Sequence, residues 1–150
     1  MRLAGAIDIG GTAIKIGIVN EDGTIIRRER VPTSEDGEPV SLVNAIVATL
    51  QPMLDTAKGD KNAASGIGVS VAGFLDPRRL GMIHNANLLA LREFPLRRTL
   101  EKRFSLECPL EVDSNAAVVA EYRHGAGRGS TRLLGVTLGT GLGGGVIIDG

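Results

Sequence analysis

Short apolar runs alternate with polar breaks along the chain, and the period within each run predicts its element. Alternating positions over residues 3–31 predict three strands. The second and third are joined at "NEDGT", where Asp22-Gly23 is a hairpin signal. Leu42, Val43, Ile46, Val47 and Leu50 recur at helical spacing and predict a helix over 39–51. Pro39 suits its first turn, and Pro52 is predicted to end or kink it. "GIGVSVAG" at 66–73 reads as a strand. The segment 74–95, broken by Asp76-Pro77, Gly81 and Pro95, is predicted to be irregular, and a loop of that length points to function. A helix over 96–104 turns Leu96, Leu100 and Phe104 inward, and a strand at 108–112 runs into Asp113. Ser114 or Asn115 is expected to cap the next helix, with Val118, Val119 and Tyr122 apolar and Gly125 or Gly127 closing it. Strands at 132–138 and 145–149 follow. The order βββαβαβα, then ββ, predicts an α/β fold with a mixed sheet flanked by helices.

Two strands break their own pattern. In "AIDIGGTAIKIGIV", residues 6–19, an apolar run meets Asp8, Gly10 and Gly11 before resuming. "GVTLGTGLGGGVIIDG", residues 135–150, does the same at Gly139-Thr140-Gly141. The two Gly-Thr pairs are 128 residues apart, and the Asp-Gly turns that follow are 127 apart. Strand, Gly-Thr turn, strand and Asp-Gly turn therefore occur twice, as an internal duplication produces. Glycine lets backbone N–H groups converge on an anion, and threonine adds a hydroxyl. Two such hairpins facing each other would grip a polyphosphate from both sides.

Gly139, Gly141 and Gly144 also satisfy G-x-G-x-x-G, but that dinucleotide fingerprint needs a helix after the glycines. Val146, Ile147 and Ile148 follow and favour strand. A Rossmann dehydrogenase is excluded on that ground. A P-loop enzyme is excluded because its G-x-x-x-x-G-K-[ST] motif is missing.

Composition narrows the class further. The 150 residues are 43% apolar, which suits a globular chain with a real core. Seventeen basic residues balance seventeen acidic ones, so no net field draws the chain to nucleic acid or a membrane surface. The pairs Arg27-Arg28, Arg78-Arg79 and Arg97-Arg98 read as solvated surface, as do His84 and His124. Cys108 is the lone cysteine, which excludes an internal disulfide and reads as a buried thiol. No apolar run nears membrane-spanning length and no leader precedes the first strand, so a soluble cytoplasmic protein is expected.

Four stretches, "DIGGTAIKIGIV", "GFLDPRRLGMIHNANL", "VDSNAAVVAEYRHGAG" and "TLGTGLGGGVI", occur in the order found in the ROK family of sugar kinases and repressors. The chain resembles that family from Ala6 to Gly150. The resemblance implies an actin/hexokinase-like (ribonuclease H-like) fold of two related domains. Residues 1–130 would form the first, and 131–150 the opening hairpin of the second. It implies ATP and Mg²⁺ as cofactors, with Asp8 holding the water shell of the metal. Gly10, Gly11, Thr12 and Lys15 would attend the phosphates, and Gly139, Thr140 and Gly141 would form a second phosphate turn. Asp113 matches the catalytic base and, with it, a substrate-binding position, Asn87 a sugar-pocket position, and Gly73 a point where backbone passes close to the sugar. Asp113 also stands where a helix N-terminus favours a carboxylate, and phosphoryl transfer from ATP to a hydroxyl needs a proton acceptor.

Val112 stands where the family usually has Asn, and Leu91 where many members have Trp. The adenine pocket, further sugar ligands and a zinc site belong to the family's later half. The expected activity is transfer of the γ-phosphate to a hexose or N-acylhexosamine. The expected partners are sugar and ATP, without nucleic acid or membrane, in a full-length homo-oligomer. The isolated 150 residues are expected to be nearly inactive, with a poorly packed 131–150 hairpin and exposed strand edges. The alternatives are a non-catalytic sugar-sensing domain of a repressor and an actin- or chaperone-like ATPase. Asp8 lies too near Met1 for a DNA-binding helix-turn-helix ahead of it, and "VDSNAAVVAE" argues against the ATPase.

Overall fold

The computed structural model describes residues 2–33, 38–59, 64–84, 88–139 and 141–150. Strands β1 (Leu3–Ile9), β2 (Ala13–Asn20) and β3 (Ile25–Pro32) form an antiparallel meander. Helix α1 (Pro39–Gly59) then crosses to β4 (Ala64–Val71), which pairs parallel to β1. A short hairpin of β5 (Phe74–Leu75) and β6 (Met82–His84) and a 3-10 turn (Leu89–Leu91) precede α2 (Leu96–Phe104). Strand β7 (Leu110–Val112) pairs parallel to β4 and leads directly into α3 (Asp113–His124). The five-stranded order is β3-β2-β1-β4-β7, the mixed sheet expected. A separate hairpin, β8 (Arg132–Leu138) with β9 (Leu142–Ile148), follows.

Alternation along the strands gives the sheet two unlike faces. Ile7, Ile9, Ile14, Ile16, Ile67, Val69 and Val71 are buried in one core with Leu42, Val43, Ile46 and Leu50 of α1 and Leu96, Leu100 and Phe104 of α2. The opposite face carries Ala6, Asp8, Lys15, Gly17, Gly68 and Ser70, and with Ala116 of α3 it borders a cleft of about 630 Å³.

Several local expectations are corrected. Pro52 does not end α1, which continues to Gly59 because Met53, Leu54 and Ala57 extend its buried stripe. A proline inside a helix costs ~3 kcal/mol, while burying one Met or Leu side chain returns ~1.5–3 kcal/mol, so two offset it. Neither Ser114 nor Asn115 caps α3. The helix starts at Asp113 after an extended Val112, with no side-chain cap, because β7 passes into it without an intervening loop. Gly125 closes α3 as expected, its N–H donating to the Glu121 carbonyl. Segment 74–95 is less irregular than its punctuation suggested, since β5 and β6 pair across a turn built on Asp76. Strand β4 starts and stops two residues before its expected limits, β7 starts two residues late but ends at Val112 as expected, and β9 begins at Leu142 rather than 145.

Glycines on one face of the β8–β9 hairpin allow a close approach to α3. A Cβ on Gly135 would lie 2.2 Å from Val118 Cγ2, and one on Gly143 would lie 2.8 Å from Ser114 Cβ. One face of the hairpin thus rests on α3, yet none of its described residues is buried, in line with the expectation of poor packing. Its other face exposes Leu134, Val136, Leu138, Leu142, Val146 and Ile148. Among the described residues, β8 and β9 pair only with each other, so their outer edges are open as expected.

Cys108 is fully buried. Burial pushes its thiol up to about 12, far above the range in which thiolates form near neutrality. It is expected to resist a thiol reagent in the native protein and to react on denaturation, which absorbance-monitored labelling with and without guanidinium checks.

Candidate active site

A single row of polar side chains crosses the open face of the sheet. The pairing register aligns Arg30 with Lys15, Lys15 with Asp8, Asp8 with Ser70, and Ser70 with Glu111. Each of the five strands contributes one member. Behind the row Gly17, Ala6 and Gly68 lie next to one another, so small residues form the floor of the cleft. Asp8 is held from both sides, its Oδ2 accepting from Lys15 Nζ at 2.8 Å and its Oδ1 from Ser70 Oγ at 2.6 Å. Its carboxylate is 38% exposed and borders the cleft. That environment fits a hydrated Mg²⁺, which keeps most of its waters and needs one or two carboxylates.

Beyond Asp8 the chain turns through Gly10, Gly11 and Thr12. The Gly10 N–H donates to the Ala13 carbonyl at 3.1 Å, closing the turn, while Gly11 and Thr12 stay exposed. Thr33, past the end of β3, pins the turn twice. Its N–H donates to the Thr12 carbonyl at 3.1 Å and its Oγ1 to the Gly10 carbonyl at 2.8 Å. Gly73 follows β4 at the same end of the sheet, with φ of 124°, which glycine accommodates without strain.

Asp113 stands at the end of β7 as the first residue of α3, exposed, its Oδ1 accepting from the Ser114 N–H at 2.7 Å. Asp8, Gly73 and Asp113 therefore share the carboxyl end of the parallel strands, where open α/β sheets bind ligands. Asp8 and Asp113 come from strands two apart, on the order of 10 Å at ordinary strand spacing.

Glu111 braces this junction. Its Oε1 accepts from the Val112 N–H at 2.9 Å and from Asn115 Nδ2 at 3.1 Å, and its Oε2 from Arg79. Burial opposes its ionisation, but these donors outweigh burial and hold the carboxyl below its ordinary value. Arg79 is therefore an ion-pair partner as well as exposed surface. Arg97 is an ion-pair partner too, donating to Glu101 at 2.8 Å. Asp76 orders the turn that carries Arg79, accepting from the backbone N–H of Arg78, Leu80 and Gly81. Arg27 and Arg28 do lie exposed on β3, as does His84 on β6. His124 packs at the end of α3 against the Asp22-Gly23 turn.

The second turn lies between β8 and β9, where the Gly139 N–H donates to the Gly141 carbonyl at 3.0 Å. Like the β1–β2 turn it joins two adjacent antiparallel strands, and the Ser114–Gly143 contact sets it beside the start of α3. Thr140 and Asn87, named from the sequence, lie outside the described residues. Ser70, Thr33, Glu111 and Arg79 escaped the sequence reading. Alternation put Ser70 and Glu111 on the polar face, but only strand order makes them neighbours of Asp8 and Arg79.

Residues 4–150 match the ROK family. The chain belongs to the ROK family. A glucokinase of Streptomyces coelicolor is 38% identical over 99% of this chain and 44% of its own length. An N-acetylmannosamine kinase of Yersinia pestis is 32% identical over 96% of this chain and 47% of its own. Among solved structures, a ROK family glucokinase from Streptomyces griseus in complex with glucose and AMPPNP superposes with a TM-score of 0.83 at 36% identity, over 98% of this chain and 45% of that one. The chain spans about half the length of the curated relatives it matches. The ROK assignment carries the actin/hexokinase-like fold with it, and this chain covers its N-terminal portion. Among the described residues, no helix is long and apolar enough to cross a membrane.

Proposed function

We propose that the protein carrying this chain is an ATP-dependent sugar kinase that transfers the γ-phosphate to a hydroxyl of a hexose or N-acylhexosamine. The observation that carries the reading is the convergence of a Gly-Thr turn, Asp8 and Asp113 at one end of the sheet in a ROK chain. In this reading Gly10, Gly11 and Thr12 cradle phosphate with Lys15 as counter-charge, and Gly139, Thr140 and Gly141 approach it from the second hairpin. Asp8 orients the waters of Mg²⁺, which when bound neutralises phosphate charge. Gly73 and Asn87 belong to the sugar side. Asp113 accepts the proton as the sugar hydroxyl attacks, so that the oxygen gains phosphorus as it loses hydrogen.

Residues 131–150 open a second domain in this proposal, and its remainder covers the exposed apolar face of the hairpin. A cytoplasmic, homo-oligomeric full-length protein accompanies it. Activity is expected from the full-length protein given ATP, Mg²⁺ and a panel including glucose and N-acetylmannosamine, with ADP release coupled to sugar phosphate formation. The 150-residue chain alone is expected to show little turnover. Full-length protein that phosphorylates no hexose or N-acylhexosamine overturns the reading.

A further inference from the structure

We propose that Ser70 is the positioning residue for Asp8, fixing the carboxylate in the orientation that receives the hydrated metal of the nucleotide. The inference rests on the role given to Asp8 above. On the open face β4 presents Gly68 and then Ser70, so Ser70 supplies the polar side chain that stands beside Asp8 in register. Its Oγ lies 2.6 Å from Asp8 Oδ1, the short distance of a hydroxyl donating to a charged acceptor.

The two partners of Asp8 differ in kind. Lys15 is 70% exposed on a long flexible stem, and an exposed ion pair of this sort is weak and easily exchanged. Lys15 is thus free to leave Oδ2 for an incoming phosphate, opening that oxygen to a metal-bound water. Ser70 is half-buried, sits on a central strand and has one rotatable bond, so it stays. With Lys15 gone, the Ser70 hydrogen bond is what keeps the carboxylate from swinging about its own side-chain torsions. Only the hydroxyl is needed for this, so threonine should serve and alanine should not.

The test is a titration of Mn²⁺ into full-length protein with AMPPNP, followed by electron paramagnetic resonance. Glucose binding is measured in parallel by calorimetry, and melting temperatures report folding. Ser70→Ala is expected to weaken Mn²⁺ binding by about tenfold to a hundredfold, the range of a hydrogen bond to a charged group. Glucose affinity should stay at the wild-type value, and Ser70→Thr should bind Mn²⁺ as wild type does. Asp8→Asn separates the two proposals. If Asp8→Asn weakens Mn²⁺ binding and Ser70→Ala does not, the role of Ser70 is overturned and the kinase reading stands. If Asp8→Asn leaves Mn²⁺ binding unchanged, the metal role of Asp8 falls, and that of Ser70 with it. Should Ser70→Thr bind as weakly as a folded Ser70→Ala, the hydroxyl is not the cause and the proposal fails.

Discussion

Asp113→Asn in the full-length protein is expected to leave the fold intact and to cut sugar phosphorylation at least ~100-fold, within the range for loss of a general base. Asparagine keeps the shape of the side chain and an Oδ1 acceptor for the Ser114 N–H, now 2.7 Å away. The local geometry of the α3 terminus is therefore preserved. What is lost is the place where the hydroxyl proton goes. A hundredfold loss corresponds to ~2.7 kcal/mol of transition-state stabilisation. Steady-state assays with saturating ATP, alongside circular dichroism and sugar-binding calorimetry, separate this from a folding defect. The loss should appear in kcat, with sugar affinity nearly unchanged. A variant with near-normal kcat would remove Asp113 from the chemistry.

Gly135→Ala should destabilise the protein by about 1–3 kcal/mol, the usual penalty for overpacking. The added Cβ would meet Val118 Cγ2 at 2.2 Å and Cγ1 at 3.1 Å, and Val118 is itself buried. Either the hairpin lifts from α3 or the helix shifts, and α3 begins at Asp113. Val118→Ala in the same chain removes both clashing methyl groups and should recover part of the loss. The double variant is then more stable than the sum of the single effects predicts, a coupling that urea melts read directly. Additive losses would mean that the hairpin and α3 are not packed as described.

The periodic elements were legible because each is set by its own residues. Alternation revealed β1, β2 and β4, and helical spacing found the inward faces of α1 and α2. The boundaries were less legible where long-range packing overrides local signals. Pro52 is a helix breaker by chemistry, yet Met53 and Leu54 belong to a stripe that only the sheet beneath makes worth burying. Gly143 and Gly145 look like part of a loop until Ser114 and Val118 supply the surface they approach. The ion pair of Arg79 went unseen because its partner Glu111 is 32 residues away.

The sequence alone determined the two Gly-Thr turns, their repetition at a fixed offset, and the carboxylates at the ends of β1 and β7. These are local matters of backbone freedom and of which residue types can hold or accept charge. Tertiary structure alone decided which residues surround those carboxylates. Parallel pairing of β1 with β4, and of β4 with β7, joins residues more than sixty and about forty positions apart, and no local pattern encodes such a meeting. Ser70 reaches Asp8, and Glu111 steadies the approach to Asp113, because strand order and register set neighbours across a sheet.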